Sequence, residues 1–69
     1  MDRYSVNVYD RAGEFERVEC DGFGDVLRTV RAKRAAYPDK IVEAFNLDRC
    51  DYDTNGLTED EREAVDGVA

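Results

Sequence analysis

The sequence predicts one small α+β domain with element order β-β-α-β-α: a three-stranded antiparallel sheet ordered 2-1-3, with the longer helix packed on one face. Three observations point there. A length of 69 residues holds a single domain, residues 1–69. Apolar and polar residues alternate strictly near the N-terminus, as in a half-buried strand. Between positions 23 and 37 the apolar spacing changes to that of an amphipathic helix, with strand-like sequence on either side.

Residues 4–8 (Tyr-Ser-Val-Asn-Val) form the first strand, with Tyr4, Val6 and Val8 facing inward. Asp10, Arg11, Ala12 and Gly13 make a turn, and Gly13 suits a positive φ angle. Residues 15–20 return as the second strand. Phe15 and Val18 differ in parity, which predicts a bulge or register change between them. Asp21 is the expected cap of a helix over about residues 23–36, whose apolar arc holds Phe23, Val26, Leu27, Val30 and Tyr37. Arg28, Arg31, Ala32 and Ala35 occupy its other side, and Tyr37-Pro38 ends it.

Residues 40–47 are rich in Ile, Val and Phe and read as a third strand with Ile41, Phe45 and Leu47 on one face. A helix starting at Pro38 is the competing reading, because Glu43 and Ala44 suit helices. A right-handed crossover from the second strand makes the third parallel to it, giving the order 2-1-3. Residues 48–56 form an acidic loop. Thr58 and Glu61 then have capping-box spacing for a short helix, whose weak apolar stripe is Leu57, Ala64, Val65 and Val68.

A chain of this size buries only ~60% of its unfolded surface. The expected core is Val6, Val8, Phe15, Val18, Phe23, Val26, Leu27, Val30, Ile41, Phe45, Leu47 and Leu57, too little to wall a deep substrate pocket. No apolar run approaches the ~20 residues that span a bilayer, and no signal-peptide pattern is visible, so no membrane role and a cytoplasmic location are expected. Cys20 and Cys50 are too far apart for a zinc motif and there is no histidine, so two reduced thiols are expected. A disulfide between them requires the fold to bring the two strand ends together.

The charge is unevenly placed. Residues 1–46 carry nine acids against eight cations, a balance of −1; residues 47–69 carry eight against two, a balance of −6, which together make the net charge of −7. Such crowding repels itself and opposes folding. Glu59, Glu63 and Asp66 recur at i, i+4 and i+7 on one helical stripe, with Asp60 beside them and Asp48, Asp51 and Asp53 in the loop leading in. These seven are the candidate partner-binding residues. A rigid face of carboxylates fits a groove built for a nucleic-acid polyanion, and steering makes such an association fast and salt-dependent.

Other chemistry finds less support. Ser5 is the only serine and has no histidine to activate it, neither do the cysteines, and no carboxylate pair has a cleft to desolvate it; neither an enzyme nor a cofactor is expected. Gly22-Phe23-Gly24 lacks the lysine and spacing of a phosphate loop. Arg28, Arg31, Lys33 and Arg34 form the one basic cluster, but cations late in a helix complement its dipole, and direct nucleic-acid binding is not expected of an acidic chain. Residues 51–56 match the first half of an EF-hand loop, with Asp51, Asp53, Asn55 and Gly56 at positions one, three, five and six. The twelfth position, which should be a bidentate Glu, is Arg62, so no metal site is expected and a degenerate calcium loop is a minor alternative.

The opening residues 4–13, the helix-to-strand junction over residues 35–42 and the acidic tail together resemble the small acidic proteins of phages and mobile elements, including anti-CRISPR and antirestriction inhibitors. The likeness is one of size, layout and charge. It implies a non-enzymatic inhibitor, DNA-mimic-like, acting in the cytoplasm of a host cell. Its partner would be a host protein with a basic nucleic-acid-binding surface, such as a CRISPR effector or a nuclease subunit. The alternative is a general adaptor that binds through the exposed sheet face or edge, where substitutions at Asn7, Tyr9 or Val42 would matter most.

Overall fold

The computed structural model describes residues 3–49, 51 and 53–68. Strands β1 (Tyr4–Asp10) and β2 (Gly13–Cys20) form a hairpin, followed by helix α1 (Phe23–Ala36), strand β3 (Ile41–Asn46) and helix α2 (Glu59–Asp66). The sheet is antiparallel throughout, ordered β2-β1-β3, and α1 packs across one face of all three strands, as the sequence predicts. At the hairpin turn the Ala12 N–H donates to the Asp10 carboxylate (2.8 Å) and Gly13 takes φ +119°.

Register decides which residues meet α1. On β1, Tyr4, Val6 and Val8 are buried, with Val6 and Val8 fully so. They pair with Cys20, Val18 and Glu16 on β2 and with Asn46, Ala44 and Val42 on β3. Directly paired residues share a face, so the inward set on β3 is Val42, Ala44 and Asn46. This corrects the face expected from Ile41, Phe45 and Leu47: Ile41 is 62% exposed and Leu47 40%. The odd-numbered set is the more hydrophobic, but pairing with β1 overrides it, and a one-residue difference inverts a whole strand.

Two further expectations shift by small amounts. The bulge lies at Phe15 itself, because Val8 pairs with Glu16 while Tyr9 pairs with Glu14. Phe15 is thereby displaced from the core to 49% exposure, where its ring meets Tyr37 edge-on at 5.2 Å and lies under the Lys40 ammonium at 4.9 Å. Asp21 does not cap α1. The cap is Gly22, without a side-chain hydrogen bond, and Asp25 in the first turn supplies the charge that favours a helix N-terminus.

The core joins Tyr4, Val6, Val8, Cys20, Val26, Val30, Val42, Ala44, Leu57 and Val65, with Val18, Phe23, Leu27, Tyr37 and Val68 partly buried against it. Val26 and Val30 lie one turn apart on the inward face of α1. No described helix is long and apolar enough to cross a membrane.

Candidate functional site

Helix α2 is short and carries five acids, so isolated it would not be stable. Three sets of contacts hold it. At its start the capping box is complete: the Glu61 N–H donates to the Thr58 hydroxyl (3.1 Å) and the Thr58 N–H donates to the Glu61 carboxylate (2.9 Å). From beneath, the hydroxyl of buried Tyr4 donates to the other oxygen of Glu61 (2.8 Å). At its end the Arg34 guanidinium, on α1, donates to the carbonyls of Val65 (2.7 Å), which also accepts from the Val68 N–H (3.2 Å), and of Val68 (2.8 Å), two residues past the last helical position. Leu57 and Val65 complete the seat by entering the core.

The described residues of the loop before α2 are tied down as well. The Asn46 N–H donates to the Asn55 carbonyl (2.8 Å), and the Asn46 side-chain oxygen accepts from the Asp48 N–H (2.9 Å). The Arg3 N–H donates to the Asp48 carboxylate (2.6 Å), and the Asp53 N–H to that of Asp51 (3.0 Å). Asn55 and Gly56 both have positive φ, +57° and +75°. An added Cβ at Gly56 would lie 2.5 Å from the Arg49 carbonyl oxygen and 2.7 Å from that of Asn46, so glycine is required by both conformation and close approach.

The seven predicted site residues, Asp48, Asp51, Asp53, Glu59, Asp60, Glu63 and Asp66, are all exposed. Among the described residues the ion pairs are Arg17–Glu14, Arg28–Asp25 and Lys33–Glu16, none of which uses a carboxylate beyond residue 46. On α2, Glu59, Asp60, Glu63 and Asp66 fall within an arc of about 120° and over about 10.5 Å of helix, seven steps of about 1.5 Å. Four charges over that length give one per about 3.5 Å, close to the ~3.4 Å per charge along one strand of duplex DNA.

Glu61 is the exception among the acids of this segment. Burial pushes its carboxyl upward, but hydrogen bonds from the Thr58 backbone, the Tyr4 hydroxyl and the Thr58 side chain, with the nearby Arg49 charge, outweigh that and hold it below its usual value of 4.5. It anchors the helix and is not part of the display.

Three members of the basic cluster on α1 have separate partners, and Arg31 is exposed. Lys33 pairs with Glu16 (2.7 Å), which raises its pKa, Arg28 pairs with Asp25, and Arg34 is committed to α2. Within the half-EF-hand sequence the Asp51 carboxylate accepts from the Asp53 N–H, and no three metal-ligating side chains converge among the described residues. Cys20 is buried, with its thiol 3.6 Å from the Thr29 hydroxyl; its prospective disulfide partner, Cys50, lies outside the described residues. Of the residues expected to matter for sheet-face binding, Asn7 and Tyr9 lie on the face away from the helices, whereas Val42 faces them.

No family model matches the chain, and no curated protein or solved structure is similar to it. The positioning residues Tyr4, Arg34 and Asn46 escape sequence reasoning. Arg34 lies 31 and 34 positions from its acceptors, and Tyr4 lies 57 from Glu61. Asn46 alone leaves a local trace, as a side-chain acceptor two residues before Asp48 at a strand end.

Proposed function

We propose that this protein is a non-enzymatic inhibitor whose acidic C-terminal surface occupies a basic nucleic-acid-binding site on a partner protein. The observation that carries the reading is the set of seven exposed carboxylates, in no ion pair among the described residues and mounted on a helix and loop tied to the core. A charge array held rigidly loses little entropy on binding and presents its field without rearrangement. Spacing on α2 close to that of a nucleic-acid strand suits it to a surface evolved to grip phosphates. The likeness in layout to phage and mobile-element inhibitors makes CRISPR effectors and DNA-cleaving or DNA-modifying complexes the first partners to test.

The test measures whether the chain displaces DNA from a panel of such complexes at graded salt. Competition falls steeply as salt rises, and the variant E59K/E63K/D66K, whose net charge moves from −7 to −1, loses it. Competition undiminished by that triple reversal refutes the proposal.

A further inference from the structure

From the free edge of β3 we infer a strand-addition site for an extended, basic segment of a partner protein. In an antiparallel strand the backbone N–H and C=O of successive residues point alternately to either side. The Leu47 N–H donates to the Arg3 carbonyl (2.8 Å), toward β1, and the Asn46 N–H donates to Asn55 (2.8 Å), away from it. Counting back in twos, Phe45, Glu43 and Ile41 turn their backbone groups to β1, and Ala44 and Val42 turn theirs to the free edge.

Among the described residues nothing pairs with those outward groups, although Val42 is 7% exposed and Ala44 2%. Unpaired N–H and C=O groups at alternate positions of an edge strand are a ready template for an added strand. They border a groove between β3 and α2 whose lining includes Ile41, Val42, Ala44, Asp53, Arg62 and Asp66. The acidic loop pairs with the edge at Asn46, then the chain turns at Asn55 and Gly56, both at positive φ, and Val42 and Ala44 have no backbone partner on that side among the described residues.

The groove specifies its occupant. An extended segment supplies the carbonyls and amides that Val42 and Ala44 lack. Ile41 offers a largely exposed apolar contact at the groove's mouth. The groove's charged lining is Glu43, Asp53 and Asp66 against Arg34 and Arg62, and Arg34 is already engaged by the Val65 and Val68 carbonyls, which favours Lys or Arg side chains on the incoming strand. The occupant's charge rests on the acidic-surface reading; the strand pairing does not.

The test titrates the isotopically labelled full chain with three peptides: alternating Lys-Val, the same peptide N-methylated at its valines, and alternating Thr-Val. Backbone amides are followed by NMR and hydrogen exchange. The Lys-Val peptide shifts and protects the Val42 and Ala44 amides, N-methylation abolishes this, and A44P weakens binding by roughly tenfold. A44P removes an N–H outside the β1 ladder, where an edge strand tolerates proline; if it does not fold, the N-methylated peptide carries the test. Lys-Val binding that moves α2 signals but not Val42 and Ala44 overturns the strand site and leaves the acidic reading standing. Equal protection by Thr-Val keeps the strand site and counts against the basic occupant. Absence of binding by both unmodified peptides, or protection of these amides by self-association of the chain alone, overturns the inference.

Discussion

Replacing Gly56 with alanine should cost the protein a large part of its stability. The residue sits at φ +75°, where an alanine costs about 1–2 kcal/mol relative to a right-handed conformation. Its Cβ would also lie 2.5 and 2.7 Å from two backbone carbonyl oxygens, those of Arg49 and Asn46, and neither can rotate away as a side chain would. Relief requires the base of the loop to open, which stretches the 2.8 Å hydrogen bond from Asn46 to Asn55 and costs about another 1 kcal/mol. The sum is about 2–3 kcal/mol, against a total of about 3–10 kcal/mol for a chain this long. With a urea m-value near 1 kcal/mol/M, the unfolding midpoint should fall by about 2 M or more at unchanged slope. Gly24→Ala is the control: it lies within α1, a Cβ there meets nothing, and the variant should gain about 0.5–1 kcal/mol. A Gly56→Ala midpoint within about 0.3 M of the parent would refute the claim that this glycine is set by close packing of the loop against the strand end.

Arg34→Ala should cost about 2 kcal/mol by removing both bonds to the end of α2, with amide exchange across Glu59–Asp66 accelerating before that of the sheet; Arg34→Lys should recover part of this, because both bonds come from one guanidinium nitrogen, Nη1, and a single ammonium can also donate to two carbonyls. Tyr4→Phe removes the hydroxyl that Glu61 accepts from and should cost about 1–2 kcal/mol at neutral pH by chemical denaturation. Because the folded pKa of Glu61 lies below 4.5, its contribution is complete above that pH and is lost as the pH falls through the depressed value, so the gap between Tyr4→Phe and parent should narrow in acid. Millimolar calcium should leave the thermal midpoint unchanged and release no heat in calorimetry, because Arg62 stands where the closing carboxylate would be and Asp51 already accepts from Asp53.

Local signals carried much of this fold. Alternation marked β1, turn chemistry marked the hairpin, the 3.6-residue stripe marked α1 to its observed ends, and Thr58 with Glu61 marked the start of α2. Each depends on neighbours within a few positions, so the chain states it without tertiary help. The same holds for the exposed acids. A stripe at positions 59, 63 and 66 of a helix whose other side holds Val65 and Val68 has nowhere to go but solvent.

What the sequence left open were choices between two locally acceptable answers. β3 had a more apolar face and a less apolar one, and ladder pairing with Tyr4, Val6 and Val8 selected the less apolar. Phe15 had the character of a core residue, and a bulge opposite the Val8–Tyr9 step moved it outward. Three of the four basic residues of α1, Lys33, Arg28 and Arg34, are claimed separately by Glu16, Asp25 and the end of α2. By itself the sequence determined the elements, their order and the segregation of negative charge, because propensity, capping and side-chain period act over a few residues. Tertiary structure alone decided which face of β3 is buried and what anchors the acidic helix, because register and partners 31 to 57 positions away are set only when distant segments meet.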